Sequence, residues 1–177
     1  MSYNVAEKAG EFGFNAGPSI VETVDLAGKV NNFLLSFPSP KANEVAKIWL
    51  AAGEIGKCPT WMDLELYRHP ELQANSYLLD YSEAEGIYRA RFVGQEIVDR
   101  TGEDMTGKAH ADMAEGALLD QWIAVSEHCR LEKAVCSVAF DWSFIDKAYI
   151  KVWNVLFPLT RDGKVNQICG FYIWTGS

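Results

Sequence analysis

The sequence predicts an α+β fold built on a small antiparallel sheet of five strands. Three observations carry this. Alternating apolar residues mark two strands mid-chain and three near the end, with a long amphipathic stretch between the groups. Turn signals, Glu83 to Gly86 and Asp162-Gly163, join neighbouring strands over distances that only antiparallel pairing tolerates. Two of the strands, Tyr149 to Leu159 and Val165 to Trp174, are apolar on both sides, so the back of the sheet must be covered as well as the front. The segments before Gly53, or a second subunit, are the available covers.

Length and composition fit one such domain. The chain has 177 residues, 49% of them hydrophobic, with six tryptophans, enough to build a core without staples. Its net charge of −8 and lack of a Lys/Arg cluster exclude nucleic acid and anionic membrane as expected partners. No apolar run approaches the ~20 residues of a bilayer span. The N-terminus lacks a basic region followed by an apolar run, so a cytoplasmic location is expected. Cys58, Cys129, Cys136 and Cys169 have no CxxC or Cys–His spacing and read as buried, reduced thiols.

In chain order, residues 1–17 carry three glycines and no period, and read as a loose arm. Ser19 with Glu22 has the form of a capping box, and the apolar residues from Ile20 to Phe37 suggest a helix weakened by Gly28. Ser39-Pro40 opens a better helix through Val45, Ile48, Trp49 and Ala52, closed by Gly53. Asp63 to Tyr67 suits one helical turn before Pro70. Tyr77 to Leu79 and Ile87 to Val93 form a hairpin. Gly94 breaks the second strand, Gln95 to Arg100 makes a short helix around Ile97, and Gly102 ends it. Asp104, Thr106 and Gly107 suit a tight turn. Asp112 to Arg130 reads as one long helix with Leu118, Trp122, Val125 and Cys129 on its stripe. In the strand from Cys136 to Phe144, Cys136, Val138, Phe140 and Trp142 share a face. In the next, Ile150, Val152 and Leu156 oppose Trp153, Val155 and Phe157. In the last, Ile168, Tyr172 and Trp174 oppose Cys169, Phe171 and Ile173.

Tyr88-Arg89, Phe92-Val93-Gly94, Ile97 and Gly102-Glu103-Asp104-Met105-Thr106-Gly107, with Phe157-Pro158-Leu159, Asp162-Gly163 and Ile168-Cys169-Gly170 near the end, resemble the signature of a bacterial PAS-domain subfamily of short proteins. The likeness spans about Ala42 to Trp174. It implies residues 41–177 as a PAS domain after an N-terminal arm of residues 1–40. The long helix would lie across the sheet's concave face, and the N-terminal helices on its outer face or across a dimer. It further implies a sensory or regulatory module, a homodimer that binds a small ligand or a protein partner and signals through an unidentified protein. PAS domains do not usually catalyse a reaction alone.

Tyr88, Phe92, Trp122, Phe140 and Trp142 are expected to face the space between sheet and long helix. That space either receives a small apolar ligand or is filled by the rings themselves. Gly94, Asp104, Thr106 and Gly107 read as structural, since Asp and Thr side chains fix turns by bonding nearby amides. His128 invites a haem reading, but a lone histidine with no partner to orient it is a poor ligand set, and His69 and His110 offer less. His128-Cys129-Arg130 is faintly similar to the core of flavin-binding light-oxygen-voltage domains, without their asparagine or flanking residues. Haem and flavin are therefore not expected, the cofactor is left unnamed, and no catalytic or metal residue is assigned. The alternatives are a ligand-free dimerisation adaptor and a small isomerase- or hydrolase-like enzyme. The latter needs an inward acid–base pair such as Asp141 with His128, and the strand alternation puts Asp141 opposite Phe140 and Trp142.

Overall fold

The computed structural model describes residues 20–25, 39–54, 57–142 and 147–175. The expected five strands are present: β2 (Ser76–Ser82), β3 (Ile87–Val93), β4 (Ala134–Trp142), β5 (Lys147–Arg161) and β6 (Lys164–Thr175). They form an open antiparallel sheet of PAS-like order, β3-β2-β6-β5-β4. One strand was not expected. Ile20–Asp25, read as the start of a helix, is strand β1, which pairs antiparallel with β4 and makes the sheet six-stranded. Its backbone partners lie more than a hundred residues away, so the capping-box pattern at Ser19 and Glu22 had no local competitor. The rest of that expected helix, and the loose arm of residues 1–17, lie outside the described residues.

The covers are helices. α1 (Pro40–Ala52) begins as expected, with Ser39 Oγ accepting from Ala42 N at 3.2 Å and Pro40 in the first turn. Such a cap contributes about 1 kcal/mol. Ala42, Val45, Ala46 and Trp49 fall at helical spacing and are at most 1% exposed. They pack on the back of the sheet with Trp153, Val155, Phe157 and Phe171. Two 3-10 turns, Met62–Leu64 and Leu66–Arg68, and a four-residue helix α2 (Pro70–Gln73) lead into β2.

Over the front, α3 is Gln95–Thr101, ended by Gly102 in the left-handed region at φ 77°. The expected long helix is divided. α4 (His110–Met113) is a single turn whose start is fixed by Asp112 Oδ2 accepting from Ala109 N. Ala114 and Glu115 are extended, and α5 (Gly116–Leu131) then crosses the sheet. Gly116 sits at φ 59°, a conformation that interrupts a helix cheaply only at glycine. Trp122, Val125 and Cys129 of α5 meet Cys136, Val138 and Phe140 of β4. Leu118 is half-buried and Ile123 is exposed. The Asp162-Gly163 turn has both residues at positive φ, 55° and 78°, as a tight hairpin between right-twisted strands requires.

Candidate functional site

Between α5 and the sheet lies a cavity of about 50 Å³. Its floor is the front of the sheet, where the alternate residues Asn154 and Leu156 of β5 line it. Its helical walls come from Ile97 of α3, His110 and Met113 of α4, and Trp122 and Val125 of α5. Met105 enters from the turn before α4.

Close approach of the backbone shapes this space. A Cβ on Gly170 would stand 1.9 Å from Tyr77 Cζ, so the glycine gives the Tyr77 ring its seat across β6. From there the Tyr77 hydroxyl accepts from Asn154 Nδ2 at 2.7 Å. Gly94 is constrained in the same way: its Cβ would meet Ala74 O at 2.3 Å. In the 104–107 turn, Asp104 Oδ1 accepts from Thr106 N at 2.9 Å, and Gly107 is at φ 87°. The turn is held to β3 by Gly107 N donating to Ala90 O at 2.7 Å, and by Ala90 N donating to Lys108 O at 2.9 Å. Asp104, Thr106 and Gly107 thus place the wall that Met105 forms, while Gly94 lets the end of β3 pass close to Ala74.

Three of the five expected pocket residues, Trp122, Phe140 and Trp142, line the cavity. Two do not. Tyr88 faces the front, but its ring stacks on His110 at 5.5 Å rather than reaching the cavity. Its hydroxyl bonds Glu127, and Arg130 Nε donates to it at 3.1 Å. Phe92 faces the back, against Trp61 at 5.7 Å. The cause is an irregularity in the β2–β3 ladder: Leu79 pairs with Ala90 but Leu78 with Phe92, so an extra residue reverses the alternation.

The cavity's polar groups were not singled out by sequence. His110 is 7% and Asn154 6% exposed. Among the described residues, neither His110 Nδ1 nor Asn154 Oδ1 has a hydrogen-bond partner, an arrangement that costs roughly 1–3 kcal/mol per group when nothing satisfies it. Burial pushes His110 from 6.5 to about 4, so it is neutral at pH 7. Burial also raises the Tyr77 and Tyr172 phenols, keeping them protonated. The lining therefore carries no formal charge. Asn154 was visible in principle, as the single polar residue in an inward stripe running Val152-x-Asn154-x-Leu156. His128, the histidine weighed for haem, is not part of the lining; His110 is.

Edge-on ring contacts join the walls. His110 meets Trp122 at 5.6 Å, Trp122 meets Phe140 at 5.5 Å, and Phe140 meets Tyr172 at 5.8 Å. Each such pair adds about 0.5–1.5 kcal/mol beyond area burial, which stiffens the space. The four cysteines are buried and free, and burial raises Cys58 to about 11 and Cys169 to about 12, the reverse of a reactive thiol. Among the described residues no group of His, Cys, Asp and Glu is placed to hold a metal, and no helix is long and apolar enough to cross a membrane. Comparison of the chain with family models, with curated proteins and with solved structures gives no match.

Proposed function

We propose that this protein is a cytoplasmic sensory module of the PAS type. It binds a small molecule between α5 and the sheet, and passes that event to a protein partner, itself working as a homodimer. One observation carries the reading: one aromatic-walled cavity is lined by two buried polar side chains, Asn154 and His110, whose Oδ1 and Nδ1 have no hydrogen-bond partner among the described residues. A core selected only for stability avoids this, because each such group costs free energy. A binding site uses a few polar groups on apolar walls to orient a ligand. No reaction is assigned. The titratable side chains of the lining are His110, Tyr77 and Tyr172, with no carboxylate to pair for acid–base work.

Cavity size favours a second reading, the ligand-free adaptor. About 50 Å³ is a third of the ~150 Å³ that an apolar cavity needs to hold benzene. Native mass spectrometry of freshly purified protein, with its absorption spectrum, separates the two. The sensor predicts extra mass that is lost on denaturation. A bare polypeptide mass, together with unmoved Met105 and Met113 methyl resonances on titration with a metabolite extract, overturns it in favour of the adaptor. The same spectrum reads stoichiometry, and a monomer at micromolar concentration sinks the homodimer.

A further inference from the structure

The lining also restricts which molecules fit. We infer that the ligand is an uncharged molecule of about four or five non-hydrogen atoms, with a hydrogen-bond-donating hydroxyl at one end and an aliphatic remainder: a short alcohol. The inference rests on the reading that the cavity is the binding site, and it deepens that reading.

Size comes first. A cavity of about 50 Å³, at some 10–15 Å³ per water-sized sphere, takes about four such spheres. A ligand this small gains too little contact to bind tighter than about micromolar. Met105 and Met113, unbranched and adaptable, are the lining side chains able to yield to a slightly larger guest.

Charge comes second. The lining contains no Asp, Glu, Lys or Arg. A carboxylate or ammonium group would be buried without a counter-ion, at a cost such small ligands cannot recover. Hydrogen-bond sense comes third. Asn154 Nδ2 is already spent on the Tyr77 hydroxyl, and Oδ1, a pure acceptor, has no partner among the described residues. Only a donor satisfies it. His110, neutral and on the helical wall, presents Nδ1 as donor or acceptor according to its tautomer. A hydroxyl both donates and accepts, so it answers the floor and suits either form of the wall. The rings of Trp122, Phe140, Trp142 and Tyr172 are left to enclose the aliphatic part.

The test titrates the full chain with 1-butanol, its apolar isostere 1-chlorobutane, and butyrate. The readouts are the methyl resonances of Met105 and Met113 and the side-chain amide of Asn154. Butanol is expected to shift all three and to bind about tenfold tighter than 1-chlorobutane, the equivalent of one net hydrogen bond. Butyrate is expected to leave them unmoved. In Asn154→Leu the alcohol should lose its advantage and bind no better than 1-chlorobutane; if that variant fails to fold, the three-ligand comparison on the unaltered chain still decides. Equal binding of alcohol and chloride, or tighter binding of butyrate, overturns the inference while leaving the cavity as a binding site. The inference also falls, and the sensor reading stands, if none of the three binds although the purified protein carries a releasable mass. If none binds and the polypeptide is bare, both fall together.

Discussion

On the α1 side of the sheet, Trp49, Phe157, Leu159 and Phe171 are at most 1% exposed, and polar groups among them are matched. Trp49 Nε1 donates to Pro158 O at 2.9 Å, and Ser76 Oγ to Leu72 O at 2.9 Å. Ser137 Oγ is the exception. On the α5 side Tyr77 and Trp122 are 9% exposed and a cavity remains, lined by a neutral histidine and the Asn154 amide among its apolar walls. One sheet thus carries two differently built cores. Close packing on the back supplies cohesion, which leaves the front free to keep a space bordered by polar side chains.

Matched truncations would break this comparison most directly. Phe157→Ala on the back is expected to cost about 3–5 kcal/mol, because its neighbours close in from every side. Phe140→Ala, one side of which already borders the cavity, is expected to cost about 1–2 kcal/mol less, since its ring has fewer contacts to lose. Equal losses in urea midpoint, at unchanged slope, would mean that the front is packed as tightly as the back.

A pH titration of stability sharpens the comparison next. His110 is held at about 4 in the folded chain against 6.5 unfolded, by burial. The unfolded state therefore binds a proton that the folded state refuses, and stability falls as pH drops through that window. The full loss, reached near pH 4, is about 3 kcal/mol. His110→Phe should flatten the profile between pH 6.5 and 4, and a variant with the parent's slope would remove His110 from the account. The smallest effect is expected at the turn. Asp104→Ala removes the bond to Thr106 N and should cost about 1 kcal/mol, while broadening the Met105 methyl resonance. An unaltered resonance would show that the turn does not steady the cavity wall.

Local chemistry explains what could be read in advance. Ser39-Pro40, Gly53, Gly102 and Asp162-Gly163 act through their own backbone conformations, so their elements start and stop where the residues indicate. The two-sided apolar strands β5 and β6 forecast a covered back, and α1 covers it. Two of the misreadings depend on distant partners and one on a local glycine. Ile20–Asp25 is a strand because β4 offers it an edge; Phe92 turns over because the β2 ladder gains a residue; the expected helix from Asp112 is cut at Gly116, a glycine in α5's own first turn. Of the candidate site, the aromatic part was legible from alternation. His110 was not, and Asn154 showed only as a polar break in an apolar stripe, because their importance arises when floor and wall come together.

The segment from Asp104 to Ala109 has one further consequence. Met105 is a brick in the cavity wall, and two to four residues on, Gly107, Lys108 and Ala109 are stitched along the outer margin of β3. The span between is short and pinned by its own Asp104 bond, so it behaves as a stiff lever rather than a slack tether. A guest that moves Met105 therefore tugs at the selvedge of the sheet, where the Arg89 side chain bonds Gly107 O at 3.1 Å in an exposed position. Under the proposed sensor reading, occupancy inside is converted to geometry outside, at the exposed margin of the sheet.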